Sequence, residues 1–279
     1  MRDSNRNKKT IYIVVPVLIL TFVLSLSGCK KSEAGVVVAG STSVQPYAEI
    51  LAEEFVKLYS GKDIDVQGGG SAAGITATEA GTADIGMSSR NLKDKELERE
   101  LWWIEVARDG LAMIVHPDNP VKDLTFEQIH DMYAGKLLNW NQVGGNDAKI
   151  HLIAREEGSG TRSAFEELLM KDYRITPKAI VQNSNGSVKQ LVSNDKNAIG
   201  FISLGLVNDR VMALNLNGVA ATYDNITNGS YALYRPFLFI SKSEPIGDAK
   251  RFVEFTLSDE GQEILAQRGL IPVAKGLTP

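Results

Sequence analysis

The chain has 279 residues, of which 43% are hydrophobic and 23% charged, with 30 Lys+Arg, 34 Asp+Glu and one cysteine. This is the composition of an ordinary globular protein, and it excludes disordered, collagen-like and disulfide-dense chains. The length allows one or two domains, each with a sizeable core. The acidic balance supplies no overall field that would attract nucleic acid, so any bound anion must be held by local groups.

The first 28 residues differ from the rest. A basic start precedes an apolar run over residues 11–26, and the only cysteine, Cys29, directly follows Ser27 and Gly28. This arrangement is typical of a secretory signal, although an apolar run of this length could also nearly span a bilayer. The position of Cys29 resembles the lipobox of bacterial-type lipoproteins. We therefore expect a signal peptide over residues 1–28 and a lipid-anchored tether over residues 29–35.

From residue 36 onward, short apolar runs alternate with stretches whose apolar residues recur every three or four positions. The runs are typical of buried strands, and the periodic stretches are typical of helices. This alternation predicts an α/β fold with largely parallel sheets. The predicted strands cover residues 36–38, 64–66, 83–87, 111–115, 150–154, 179–181, 199–202, 211–216 and 234–240; the predicted helices cover residues 44–58, 72–80, 93–100, 125–132, 164–169, 185–192, 248–256 and 258–268.

Helix-start signals accompany several of these predictions. Ser43 stands where an N-cap residue would precede the first helix. Thr125 with Gln128, and Ser163 with Glu166, have the spacing of a capping box.

Four strand-to-helix junctions are rich in glycine and hydroxyl groups. They are residues 41–43, 70–71, 88–89 and 159–161, and Arg155 lies just before the last. Ligands of open α/β sheets bind beyond the carboxyl ends of strands, where the first N–H groups of the following helix have no intrahelical partner. Serine and threonine add donors, and an arginine fork can hold two oxygens of a phosphate-like ion. Each junction alone could be an ordinary helix cap, but together they favour an oxyanion site.

The sequence offers less for catalysis. None of the three histidines, His116, His130 and His151, has metal-ligand spacing with another histidine, cysteine or aspartate. The Gly158-Ser159-Gly160 stretch lacks the nucleophile-elbow pattern and the ending of a phosphate-binding loop. We therefore expect no metal, no cofactor and no enzymatic activity.

Several stretches carry a family resemblance. In chain order they are AGSTSV (39–44), QGGGSAAGI (67–75), ADIGMSSRNL (83–92), AREEGSGTRSAF (154–165), QNSNGSV (182–188) and NAIGFISLG (197–205). They resemble the phosphate-binding lipoprotein of the phosphate ABC importer over essentially the whole exported chain. The resemblance implies a type II periplasmic-binding-protein fold, with two α/β lobes joined by two crossing strands. Lobe 1 would comprise residues 36–115 plus 236–279, and lobe 2 residues 116–235.

The resemblance also assigns roles to residues. Glu157 matches the acidic residue that braces the arginine in that family. Ser89 departs from the pattern, because the best-known members have there an aspartate that accepts the proton of hydrogen phosphate. This departure weakens the expected discrimination of phosphate from sulfate. The residues that match the phosphate contacts are Thr42, Ser43, Ser71, Ser89, Arg155, Ser159, Gly160 and Thr161.

The implied function is that of a monomeric, extracytoplasmic receptor. It would capture inorganic phosphate and present it to the membrane permease of an ABC importer, without binding nucleic acid. Three alternatives remain open: a receptor for sulfate or molybdate, a secreted phosphatase-like hydrolase using Ser159, and a non-transporting sensor or adhesin on the same fold.

The first prediction concerns anchoring through Cys29. We expect Cys29 to be the mature N-terminus and to carry more than one acyl chain, because a single chain anchors only marginally. Cys29→Ser should release the protein or leave it uncleaved, as measured by lipid labelling and membrane fractionation. A labelled, membrane-bound product from this variant would contradict the prediction.

Overall fold

A computed structural model describes residues 35–60 and 62–273. The predicted signal peptide, Cys29 and the final residues 274–279 lie outside the described residues. No helix within the described ranges is long and apolar enough to cross a membrane.

Helices and strands alternate along the described chain. The helices are α1 (Gln45–Leu58), α2 (Ser71–Glu79), α3 (Asp94–Leu97), α4 (Phe126–Tyr133), α5 (Gly160–Phe165), α6 (Asn185–Asn194), α7 (Tyr223–Thr227), α8 (Gly247–Leu257) and α9 (Asp259–Gln267). The strands are β1 (Val36–Gly40), β2 (Ile64–Gly68), β3 (Ile85–Ser88), β4 (Trp102–Val115), β5 (Asp123–Leu124), β6 (His151–Arg155), β7 (Ile180–Gln182), β8 (Ala198–Ser203), β9 (Met212–Ala213), β10 (Asn215–Leu216), β11 (Tyr234–Ser241) and β12 (Ile271–Pro272).

Most strands belong to one mixed sheet, in the order β2-β1-β3-β11-β4-β8-β6-β7. Its two ends are parallel, as predicted: β1 pairs with β2 and β3, and β6 pairs with β7 and β8. Its centre is antiparallel, because β11 pairs with both β3 and β4, and β4 pairs with β8. The predicted α/β class is confirmed, but the antiparallel centre was not anticipated.

Strand β4 is much longer than the five residues predicted. Its first part pairs with β11, through residues such as Asp109 opposite Arg235, and its last part, Leu111 to Val115, pairs with β8. The sequence concealed the first part because charged residues interrupt its apolar pattern. The two largest hydrophobic cores therefore share one continuous strand.

Aromatic side chains mark both cores. In the first core, Phe55 of α1 packs edge-on against Phe252 of α8, with ring centroids 5.6 Å apart. In the second core, Phe165 stacks on Phe201 at 4.1 Å. Fully burying such a ring contributes about 1.5–3 kcal/mol. The Phe55–Phe252 contact packs α8 against α1.

Helix starts were predicted with mixed success. The capping box of Thr125 and Gln128 is confirmed. Ser43 is not a cap, since Val44 precedes α1 and the Ser43 hydroxyl bonds Thr161 instead. The Ser163 box is also wrong, because α5 already begins at Gly160, with the Ser159 hydroxyl accepting from the backbone N–H of residue 162.

Two other element boundaries differ from prediction. The predicted helix over residues 93–100 is limited to the four residues of α3. The predicted strand over residues 211–216 is divided into β9, which pairs with β4, and β10, which pairs with β5.

A close backbone contact holds α2 against the sheet. A Cβ atom at Gly74 would lie 2.5 Å from the Ala39 carbonyl oxygen and 2.7 Å from the Gly40 Cα. Both neighbours are backbone atoms of the sheet, so they cannot move aside as a flexible side chain would. Glycine at position 74 therefore sets how closely α2 approaches β1.

We predict that Gly74→Ala destabilises the protein by about 1–3 kcal/mol, because overpacking forces backbone shifts. Gly186→Ala is the matched control, since Gly186 also lies in a helix but its added Cβ would have 3.8 Å to the nearest atom, the Ser184 hydroxyl. Urea unfolding should show the loss only for Gly74→Ala. Equal stability of the two variants would contradict the proposed contact.

Candidate functional site

The four hydroxyl-rich junctions converge in the structure. Strands β1, β2 and β3 are parallel, so the junctions that follow them lie at one edge of the sheet. The junction after β6 meets this edge, since the Ala72 backbone N–H donates to the Gly158 carbonyl at 3.1 Å. The side chains at the convergence are buried, with at most 2% exposure: Ser41, Ser43, Ser71, Ser89, Arg155, Ser159 and Thr161.

One group of hydroxyls surrounds Ser89. The Ser41 hydroxyl donates to Ser89 Oγ at 2.8 Å, the Ser89 backbone N–H donates to Ser71 Oγ at 3.1 Å, and the two hydroxyls of Ser71 and Ser89 lie 3.4 Å apart. Gly160 approaches this group so closely that an added Cβ would lie 2.5 Å from Ser89 Oγ. A side chain at position 160 would therefore displace these hydroxyls.

A second group surrounds Ser43. Its hydroxyl oxygen accepts from Asn185 Nδ2 at 2.9 Å and from Arg235 Nη2 at 3.0 Å, and it lies 2.9 Å from Thr161 Oγ1. A hydroxyl accepts two hydrogen bonds and donates one. The Ser43 proton must therefore be donated to Thr161. The Ser43 hydroxyl thus orients its neighbours, and in this arrangement its hydrogen-bonding capacity is used within the protein.

The Thr42 hydroxyl, unlike that of Ser43, accepts two hydrogen bonds and donates none within the described residues. Its hydroxyl oxygen accepts from Arg155 Nη2 at 3.2 Å and from Asn185 Nδ2 at 3.3 Å. The amide of Asn185 is oriented by its oxygen, which accepts from the Ser203 backbone N–H at 3.3 Å. With both acceptor positions filled, the Thr42 O–H remains available as a donor.

Arg155 is braced by Glu156 rather than by Glu157. Nε donates to Glu156 Oε2 at 2.9 Å and Nη2 to Oε1 at 2.8 Å, which is a bidentate pair. Glu157 is exposed, because the turn closed by the Ser159 N–H and the Glu156 carbonyl places it on the outside. The predicted bracing role of Glu157 is therefore wrong in this structure, and the adjacent carboxylate takes it.

A second buried arginine was not predicted from the sequence. Arg235 on β11 is 2% exposed and donates from Nε and Nη2 to Oδ2 of Asp109 at 3.1 and 2.9 Å. Asp109 is fully buried and also accepts from the Ser203 hydroxyl at 2.7 Å. Arg235 near the start of an apolar strand was the only signal in the sequence, since Asp109 lies in the part of β4 that was not predicted. Arg155 is therefore not the only cation at the convergence.

The two arginines lie close enough to affect each other. Burial lowers the pKa of Arg235 and the charge of Arg155 lowers it further, while Asp109 opposes both effects. Burial raises the pKa of Asp109, against the stabilising charge and hydrogen bonds of Arg235 and Ser203. Since a guanidinium stays protonated in proteins, Asp109 faces a lasting positive charge at 2.9 Å. Each buried cation at the convergence thus has its own carboxylate.

A metal would need a different set of residues. Over residues 35–60 and 62–273, no group of three or more histidine, cysteine, aspartate or glutamate side chains is placed to hold a metal ion. The donors gathered here are instead hydroxyl, amide and guanidinium groups, which suit an anion.

Comparison with known proteins identifies the family. A model of the PBP superfamily domain matches residues 27–260. The chain belongs to the PBP superfamily. Phosphate-binding protein PstS of Bacillus subtilis (strain 168) is 32% identical over 253 residues, which cover 89% of this chain and 84% of that protein.

Two solved PBP-type structures are also similar. A Clostridium perfringens protein assigned to phosphate ABC transport as a substrate-binding protein, solved with bound phosphate, is 43% identical. It has a TM-score of 0.83, and the match covers 86% of this chain and 100% of that one. An ABC-type phosphate transport receptor from Vibrio cholerae is 39% identical with a TM-score of 0.71, over 85% of this chain and 100% of that one.

Proposed function

We propose that this protein captures inorganic phosphate outside the cytoplasm and delivers it to the permease of an ABC importer. The observation that carries the proposal is the buried convergence of four hydroxyl-rich junctions on a bidentately paired Arg155. The similar proteins named above are phosphate-binding proteins, which supports the same ligand. Capture needs no general base, so the function is binding rather than catalysis.

The hydrogen bonds of the site prepare donors for an anion. Thr42 receives two hydrogen bonds, and Thr161 receives one from Ser43, so the protons of both threonine hydroxyls remain to be donated. Arg155 Nη1 reaches only Thr161 Oγ1, at 3.5 Å. Donors fixed by surrounding bonds need little reorganisation when an oxyanion arrives. We therefore assign phosphate contacts to Thr42, Ser71, Ser89, Arg155, Ser159, Gly160 and Thr161, with Ser43 contacting or orienting.

The proposed mechanism is closure of two lobes on the ion. Lobe 1 would be residues 36–115 plus 236–279 and lobe 2 residues 116–235, with β4 and β11 as the crossing strands. Support comes from the two aromatic cores and from the packing of α8 against α1. Hinge closure around a ligand is an established response of such architectures. Attachment to the outer face of the membrane through Cys29, and a monomeric state, belong to the same proposal.

The alternatives differ in how they fit the geometry. A hydrolase using Ser159 would need a base at its hydroxyl, whereas that oxygen caps α5. The ring nitrogens of His116, His130 and His151 bond the backbone N–H of Asp118 and the carboxylates of Asp131 and Asp195 instead. A sulfate or molybdate receptor would use the same donors, so only ligand competition separates it from the phosphate proposal.

Titration calorimetry with phosphate, sulfate and molybdate tests the proposal directly. Arg155→Ala should weaken phosphate binding by about 2–5 kcal/mol, since it removes a buried charged partner and leaves Glu156 unpaired. Glu157→Gln is the control and should bind as the wild type does, because Glu157 is exposed. If Arg155→Ala retains full affinity, the ion binds elsewhere.

Selectivity depends on Ser89. Phosphate carries a proton that sulfate lacks, and an acceptor facing a bare sulfate oxygen would be left mispaired. Ser89 Oγ accepts from Ser41, and its second acceptor position can serve the ligand proton. We expect the wild type to prefer phosphate and Ser89→Asp to sharpen the preference, measured by sulfate competition against bound phosphate. Equal wild-type affinities would favour a general oxyanion receptor.

A further inference from the structure

Arg235 presents an unused donor beside the junction hydroxyls. Nε and Nη2 form the edge of the guanidinium that faces Asp109, and the other hydrogen of Nη2 goes to Ser43 Oγ. Because the group is planar, Nη1 lies on the same edge as that second hydrogen. Nη1 is buried and has no hydrogen-bond partner in the described part of the chain. Buried donors are rarely left without a hydrogen-bond partner. A ligand that accepts a hydrogen bond from Nη1 would satisfy this donor.

The position of Arg235 connects it to the proposed phosphate site. Ser43 separates Arg235 from Thr161, and Thr161 is the side chain that Arg155 Nη1 reaches. Two hydroxyl groups thus lie between two guanidinium groups. The charge of each arginine is offset in part by its own carboxylate, and an anion that accepts from both guanidinium groups would relieve the repulsion that remains between them.

We propose that Arg235 is a second cationic phosphate ligand, with Nη1 donating to a phosphate oxygen and Asp109 holding the guanidinium in place. The inference rests on the proposed function and extends its site. It also gives a physical reason why an anion can be buried here, since the second guanidinium adds a charge-assisted donor to those of Arg155. Asp109 is then a positioning residue, because it acts on phosphate only through the guanidinium of Arg235.

The competing explanation is that Arg235 and Asp109 are only a structural ion pair between β11 and β4. The double variant Arg235→Gln/Asp109→Asn separates the two, because it removes both charges and leaves no unpaired ion. If Arg235 is a ligand, the purified double variant should bind inorganic phosphate about 100-fold more weakly than the wild type. If the pair is only structural, affinity should be unchanged, and this outcome would overturn the inference.

The matched control removes another buried ion pair. Arg90 is 4% exposed, and its guanidinium donates to Glu96 and to the Asn91 carbonyl. Only its backbone N–H donates to a junction hydroxyl, that of Ser88, and the substitution leaves this bond in place. Arg90→Gln/Glu96→Gln should therefore keep wild-type affinity. A loss equal to that of the Arg235 double variant would show a general effect of removing buried pairs and would overturn the inference.

A single substitution decides the question if the double variant fails to fold. Arg235→Lys keeps a positive charge opposite Asp109 but removes Nη1, so if Arg235 is a ligand this variant should bind phosphate about tenfold more weakly. Unchanged affinity would mark the pair as structural and overturn the inference. A wild-type protein that binds no phosphate would overturn the proposed function itself, whereas wild-type binding with an unaffected double variant overturns only the role of Arg235.

Discussion

The hydroxyl of Ser43 is the constraint on which the site depends. It contacts side chains from three separate elements, α5, α6 and β11, through Thr161, Asn185 and Arg235. With two accepted bonds and one donated bond, the hydroxyl is saturated, so no contact can be removed without leaving a buried partner unsatisfied. A residue that precedes α1 therefore connects segments up to 192 positions away.

The buried charges of the site are also balanced locally, each by a neighbouring side chain. The protein is acidic overall, and the described cations at the convergence, Arg155 and Arg235, are each paired with a carboxylate. The pairs carry no net charge, so the site cannot act through a broad positive field and must act through the direction of its donors. A buried ion pair is costly to desolvate and is stabilised only when the remaining donors and acceptors of both groups are hydrogen-bonded. Ser203 donates a hydrogen bond to Asp109, and Thr42 and Thr161 accept hydrogen bonds from Arg155.

The sequence was informative where structure is local. A buried strand followed by small residues and a helix is a continuous pattern, so the four junctions and most helices could be predicted from spacing. The pairing of Asp109 with Arg235 could not, because it depends on the antiparallel register of strands 126 positions apart. The choice of Glu156 over Glu157 depends on the direction of one turn, which spacing alone does not determine. The two-lobe division and the individual phosphate contacts stay predictions.

Glycine completes the site through space rather than flexibility. Gly160 begins α5, and any side chain there would collide with the hydroxyls of Ser71 and Ser89, which belong to the other junctions. Gly74 likewise lets α2 approach the backbone of β1, which positions Ser71 at the start of the same helix. Gly160 thus leaves room for the Ser71 hydroxyl, and Gly74 sets the position of the helix that begins at Ser71. Close backbone approach is what brings short serine side chains, which cannot span a gap, within reach of one another.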